Sequence, residues 1–149
     1  APGPAKSGPA VEERDEEEED RKQPHQDKQI LLIEDDSNLQ EMYALRLRQD
    51  GCHVSTAGNG AWGLRLANDK KFDLIVMDIM MPAMHGYELL DKVKTESLNK
   101  DTPVIVVSNS AQDRDVQEAK SHGADAYFLK SQITPAKLSK EAANLLGSE

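Results

Sequence analysis

Phe72-Asp73-Leu74-Ile75-Val76-Met77-Asp78-Ile79-Met80-Met81-Pro82, with Gly86 four positions further on, is the stretch whose reading decides the fold. Its apolar core does not alternate with polar residues, so it reads as a strand covered on both faces. The run stops on an acid, Asp78. Three other runs behave alike. Ile30-Leu31-Leu32-Ile33 stops at Glu34, Asp35 and Asp36, Val104-Ile105-Val106-Val107 stops at Ser108, and Ala126-Tyr127-Phe128-Leu129 stops at Lys130. As parallel strands of one sheet, they gather carboxylates, a hydroxyl and an ammonium at their carboxyl ends. Such a set can hold a divalent cation and a phosphoryl group.

His53-Val54-Ser55-Thr56-Ala57 is less apolar and partly alternating, which suits an edge strand, and residues 124–129 read as the opposite edge. Helical patterns separate the strands. Ser37 and Gln40 form a capping-box signature, although Asp36 is an equally good cap. Leu39, Met42, Tyr43 and Leu47 supply the inward face of that helix, and Gly51 stops it. A second helix spans residues 61–68 with Trp62 as a packing residue. A third carries Tyr87, Leu90 and Val93. A fourth has the thin apolar face of Val116 and Ala119 and ends at Gly123. Thr134-Pro135 opens a fifth as N-cap and first helical residue, with Leu138, Ala142, Leu145 and Leu146 at helical spacing. Five βα units make a doubly wound α/β parallel sheet, whose crossovers are right-handed and whose ligands bind at the carboxyl edge.

The chemistry follows from charge. Several carboxylates brought together repel one another, and a hard cation with oxygen ligands relieves them; magnesium suits two or three carboxylates in an open site. One carboxylate can then act as nucleophile toward a phosphoryl donor and become an acyl phosphate. The transferring group's equatorial oxygens need neutralising, and Ser108 and Lys130 are placed to help.

From about Gln29 to Leu146 the chain resembles the receiver domain of bacterial response regulators, the CheY-like family of two-component signalling. The resemblance rests on Glu34-Asp35 after the first strand and on Asp-x-x-Met-Pro-x-Met-x-Gly over residues 78–86. It rests also on Pro-Val-Ile-x-x-Ser over residues 103–108 and on Gly-Ala-x-x-Tyr-x-x-Lys over residues 123–130. It implies a flavodoxin-like (βα)5 fold with strand order 2-1-3-4-5. It also implies roles. Asp78 is the phosphoacceptor and a metal ligand; Asp35 binds Mg2+ directly, Glu34 mainly through water, and the Met80 backbone carbonyl is a further ligand. Ser108 hydrogen-bonds the phosphoryl group and moves on activation, Tyr127 turns inward in response, and Lys130 pairs with the phosphoryl group. A ground state with Tyr127 at least partly outward is therefore expected. Two positions depart from the pattern: Ser131 stands where a proline with a cis peptide often follows the lysine, and Asn109 stands where a small alanine is common.

Other readings are weaker. Gly58-Asn59-Gly60-Ala61-Trp62-Gly63 matches a dinucleotide fingerprint, but it follows an edge strand, while the first strand's loop carries acids that would repel a pyrophosphate. A phosphatase resembling the haloacid dehalogenases wants a second aspartate where Met80 stands. His25, His53, His85 and His122 show no ligand spacing and read as surface residues. Cys52 reads as a small buried or half-buried side chain, and as a single cysteine it excludes an internal disulfide.

The chain has 149 residues and a formal charge of −9, which disfavours nucleic acid and anionic membrane as direct partners. Residues 1–28 read as a disordered acidic tail or linker, with eight acids among the nine residues 12–20, and residues 29–147 read as the receiver domain. With no spanning stretch or signal core, the cytoplasm is the expected compartment. The resemblance implies that a sensor histidine kinase or histidine phosphotransfer protein supplies the phosphate. A downstream output protein would read the face made by the fourth helix, the strand at residues 124–129 and the fifth helix, and the domain would be a monomer or a phosphorylation-dependent dimer. A signalling module that is never phosphorylated is the competing reading. A stand-alone regulator and a receiver belonging to a hybrid kinase both stay open.

Overall fold

Gln29–Ile33 (β1), His53–Ala57 (β2), Leu74–Met77 (β3), Val104–Ser108 (β4) and Ala126–Leu129 (β5) form one parallel sheet in the order β2-β1-β3-β4-β5. The computed structural model describes residues 25–81, 84 and 86–147; residues 1–24 of the tail expected over residues 1–28, and His85, lie outside these. Helices connect every strand to the next: Ser37–Gln49 (α1), Gly60–Asp69 (α2), Gly86–Glu96 (α3) and Asp113–Ser121 (α4), with Pro135–Leu146 (α5) closing the chain. This is the flavodoxin-like (βα)5 arrangement, with β2 and β5 at the edges as their polar patterning requires.

Strand periodicity divides the core in two. Leu31, Ile33, Ile75, Met77, Val104 and Val106 pack with Ala67 of α2, Leu89, Leu90 and Val93 of α3 and Ala119 of α4. Their neighbours Ile30, Leu32, Leu74, Val76, Ile105 and Val107 point to the other face. There they meet Tyr43, Ala44 and Leu47 of α1 and Leu138, Ala142 and Leu146 of α5. Both faces are dry, which is why the three central strands are apolar without alternation.

Several local expectations need correction. The N-cap of α1 is Asp36, whose Oδ1 accepts from the Asn38 and Leu39 amides at 3.0 and 3.1 Å. Gln40 does not close a capping box; its amide donates to the Glu34 and Ala57 carbonyls at 2.9 and 3.3 Å, pinning the β1 loop. Met42 is not part of the inward face. It is 51% exposed, and Ala44 takes that place beside Tyr43 because the helix turns 100° per residue. Trp62 is 46% exposed and lies under the Arg65 guanidinium, 5.1 Å from its ring centroid, rather than in the core.

His25 is not a surface residue. It is 4% exposed, and its Nε2 contacts Asp50 Oδ2 at 3.1 Å and Ser139 Oγ at 3.2 Å, tying the chain before β1 to the end of α1 and to α5. Backbone bonds from Asp27 N to Gly51 O and from His53 N to Lys28 O continue this attachment. Packing thus begins at least four residues before Gln29.

Gly60 and Gly63 serve packing and capping. A Cβ on Gly63 would come within 2.6 Å of Ile33 Cδ1, so α2 approaches β1 only through a glycine. Asn59 Oδ1 accepts from the Trp62 amide at 2.8 Å, filling the helix start that a pyrophosphate would need.

Candidate functional site

The ends of β1, β3, β4 and β5 lie side by side, and the residues following β1, β3 and β5, with the last residue of β4, make the site. Register places Ile33 beside Met77 and Ser108 beside Leu129, so Glu34, Asp78, Ser108 and Lys130 emerge along one edge. Glu34 N donates to Ala57 O, Asp78 N to Ile33 O and Lys130 N to Ser108 O, extending the ladder one residue past the strands. The spacing of strand ends, rather than of residues along the chain, brings positions 34, 78 and 130 together.

Glu34 and Asp78 are both 2% exposed, and Ser108 is fully buried. Lys130 Nζ donates to Asp78 Oδ2 at 2.7 Å and to Glu34 Oε2 at 2.9 Å. Asp78 Oδ1 accepts from the Met80 amide at 2.8 Å, and Glu34 Oε2 also accepts from the Asp36 amide at 3.0 Å. Asp35 stands at the solvent side, and oxygens of Glu34, Asp35 and Asp78 lie within 4.8 Å of one another. Every residue expected in the acidic cluster is therefore present in it.

Electrostatics follows from burial. Desolvation pushes the Glu34 carboxyl above its ordinary value, although the Lys130 and Asp36 hydrogen bonds pull the other way. Burial works against the Lys130 ammonium too, but its hydrogen bonds to Asp78 and Glu34 outweigh it and hold its proton more tightly than usual. Three carboxylates face one ammonium, a surplus of negative charge made of oxygen donors. That donor set fits a hard divalent cation held by Glu34, Asp35 and Asp78.

The neighbouring loop connects this edge to α4. Ser108 Oγ accepts from the Ser110 amide at 3.1 Å, and Tyr127 donates its hydroxyl to the Ser110 carbonyl at 2.8 Å. The Tyr127 ring is half buried against the α3–α4 side of the core, and its hydroxyl is tied rather than swung free. Helix α4 itself buries only Ala119, as its thin apolar face implies. No cis peptide occurs among the described residues, so the Lys130–Ser131 bond is trans, as a non-proline bond should be. Sequence reading missed Ser110 and Asp115 and took Tyr87 only as an apolar helix position, whereas these three join the loop to α3; the only signal was the Ser-x-Ser spacing at residues 108–110.

The model of the response regulator receiver domain family matches residues 30–143. The transcriptional activator protein PfeR of Pseudomonas aeruginosa is 36% identical over 101 residues, 68% of this chain and 32% of that protein. The response regulator ArlR of Staphylococcus aureus is 32% identical over 102 residues, 68% of this chain and 45% of that one. The chain thus spans from 32% to 45% of the length of these relatives. Among solved structures, a CheY-like receiver domain protein from Methanospirillum hungatei superposes with a TM-score of 0.75 at 29% identity, covering 80% of this chain and 94% of the other. The receiver domain of sensor histidine kinase PA1611 from Pseudomonas aeruginosa, with magnesium coordinated in its active-site cleft, gives 0.73 at 26% identity, covering 82% and 99%. No described helix is long and apolar enough to cross a membrane.

Proposed function

Since the chain belongs to the response regulator receiver domain family, we propose that it takes a phosphoryl group on Asp78 from a histidine kinase or histidine phosphotransfer partner and passes the signal through its α4-β5-α5 face. The observation that carries this reading is Asp78 itself: a carboxylate 2% exposed, one oxygen on Lys130 and the other on the Met80 amide, beside Glu34 and Asp35.

In the transfer, an Asp78 oxygen forms a bond to phosphorus while the bond from phosphorus to the donor's imidazole nitrogen breaks, that nitrogen keeping the electron pair. Lys130 already sits at Asp78 Oδ2 and is positioned to offset the incoming charge. Ser108 offers its hydroxyl to a phosphoryl oxygen. Glu34, Asp35, Asp78 and the Met80 carbonyl would hold Mg2+, which when bound offsets the clustered negative charge. The groove between α4, β5 and α5, about 270 Å³ and lined by Val116, Lys120, Tyr127, Phe128 and Lys137 among others, supports that face as the output surface. An output protein is the partner it would serve.

Acetyl phosphate with magnesium tests the reading. Intact-mass spectrometry should find one phosphoryl adduct, removed by hydroxylamine as acyl phosphates are, and Asp78→Asn should lack it because an amide is a poor nucleophile. The same adduct on Asp78→Asn would move the acceptor elsewhere. No adduct on the wild-type chain would favour a module that signals without phosphorylation.

A further inference from the structure

A continuous set of contacts leads away from Ser108 and ends in a histidine. Ser110, whose amide donates to Ser108 Oγ, donates its own hydroxyl to Asp115 Oδ2. Tyr87 of α3 donates its hydroxyl to Asp115 Oδ1 and to the Asp115 carbonyl, at 3.1 and 3.2 Å. The Tyr87 ring stacks on the His122 imidazole, centroids 5.5 Å apart and planes 18° from parallel. His122, at the end of α4, faces carboxylates through both ring nitrogens: Nδ1 lies 2.6 Å from Asp91 Oδ1 of α3, and Nε2 lies 3.1 Å from Glu118 Oε2 of α4.

We infer that Asp115 and His122 are positioning residues for the switch: Asp115 fastens the loop behind Ser108 to α3, and His122 clasps α4 to α3 with a strength set by its protonation. The inference rests on the phosphoacceptor reading above and adds its regulation.

The reason lies in donor counting. A neutral imidazole has one N–H, so it satisfies one of the two carboxylates and turns a lone pair toward the other. Only the imidazolium donates to both. The Asp91 hydrogen bond accordingly raises the His122 pKa, despite some opposing desolvation, and Glu118 adds to it. The facing groups are few. Asp91 and Tyr87 come from α3 and Glu118 from α4. Lys94 of α3 packs against Gly123 but sends its ammonium to the Thr102 carbonyl at 2.6 Å and toward Asp125 at 4.0 Å. Tyr87 keeps its proton throughout, its pKa pushed up to about 12 by burial and by Asp115.

Helix α4 has little else to hold it, burying only Ala119. Drawing Ser108 toward Asp78 stretches its bond to Ser110, disturbs Asp115 and loosens Tyr87 from His122. The charged clasp opposes that displacement. The sign follows: a raised pKa means the clasp is complete at acidic pH and is lost as pH rises through the His122 value. Alkaline pH should therefore ease the switch, and engaging the switch should lower the His122 pKa by the same coupling.

The test uses the whole chain with magnesium and beryllofluoride as the phosphoryl mimic. His122 is titrated by its ring resonances with and without the mimic, and mimic affinity is measured at pH 6 and pH 8.5. We expect a lower His122 pKa in the mimic-bound chain. We also expect the affinity gain from pH 6 to 8.5 to exceed that of His122→Gln by on the order of fivefold, an ordinary coupling. Asp91→Asn should shrink the difference as well. Loop shifts around Asp78 with an unmoved His122 titration would overturn this inference and leave the acceptor intact. No shift around Asp78 at any mimic concentration would overturn the phosphoacceptor reading and this one with it.

Discussion

Lys130 Nζ, at the end of one edge strand, lies 2.7 Å from Asp78 Oδ2 at the end of the central one, bridging 52 positions of sequence and spanning the strand that carries Ser108. The same ammonium holds Glu34 at 2.9 Å, so one cation closes an edge that carries three acids. An ion pair this buried is a poor source of net stability, because desolvation consumes most of the Coulombic gain. It makes better sense as preorganised charge beside the proposed phosphoacceptor carboxylate.

Glu34 should report that cost. Burial lifts its folded pKa above the ordinary carboxylate range. A raised pKa means that the group's stabilising contribution is full below the unfolded value and is lost as pH rises through the folded value. Above its folded value the ionised Glu34 therefore costs stability, whereas Lys130, despite its burial, holds its proton more tightly than usual through its hydrogen bonds to Asp78 and Glu34. Glu34→Gln, which resembles the protonated acid, should melt a few degrees above wild type at pH 7.5 in EDTA, with the margin shrinking toward pH 4. Thermal melts at the two pH values check this; a margin that grows on acidification would reverse the assignment.

Magnesium should relieve the same strain. The Asp35 carboxylate makes no hydrogen bond or ion pair among the described residues, so its loss leaves the fold intact while removing a proposed ligand. Saturating magnesium, at about one hundred times its Kd, should stabilise the wild type by about 2.7 kcal/mol. Asp35→Ala should melt like wild type in EDTA and respond weakly or not at all to magnesium. A full response in Asp35→Ala would remove Asp35 from the metal site.

Gly86 tests the loop that carries the site. A Cβ there would sit 2.1 Å from Ile79 Cα and 2.6 Å from the Ile79 carbonyl oxygen, which is backbone and has nowhere to go. The Gly86 amide donates to that same oxygen at 3.1 Å, so the close approach carries a hydrogen bond. Gly86→Ala should cost on the order of 3 kcal/mol or more in urea denaturation, since overpacking against backbone cannot relax by rotamer change. Gly58→Ala is the control, with nothing within 4 Å of its Cβ, and should be near neutral.

What the chain revealed before folding, and what it withheld, divides by physical cause. The sheet was legible because burial on both faces leaves apolar runs, and the site was legible because each run ends on a functional group. Glu34, Asp78 and Lys130 meet as their strand ends require. Contacts decided by tertiary approach were not legible. His25 lies outside any periodic segment, so nothing marked it as buried against Asp50 and Ser139. Asn99 is fully buried and bonds the Phe72 amide and the Ala67 and Lys70 carbonyls, yet in sequence it is one polar residue in a polar loop. Asp36 rather than Ser37 takes the cap, and Gln40, which would be the reciprocal arm of a box at Ser37, is committed to the Glu34 and Ala57 carbonyls.

Ser108 separates chemistry from signal. Its hydroxyl oxygen accepts from the Ser110 amide, the first contact of the path to Tyr127 and Asp115. Its burial in β4 is complete, so Ser108→Ala deletes one oxygen without exposing the core. The cost is one hydrogen bond, about 1 kcal/mol, and a freed Ser110 amide. Asp78 keeps its contacts to Lys130 and Met80, so acetyl phosphate should still yield the adduct, at a lower rate. What should change is distance. In the wild type, beryllofluoride with magnesium should shift amide resonances over residues 108–123 and at Tyr127. In Ser108→Ala those shifts should fall by half or more, while shifts in the loops after β1 and β3 persist. Tyr127→Phe, which keeps the ring but cannot donate to the Ser110 carbonyl, should weaken the α4 shifts without touching the adduct. Equal α4 shifts in wild type and Ser108→Ala would show that the signal leaves Asp78 by another route.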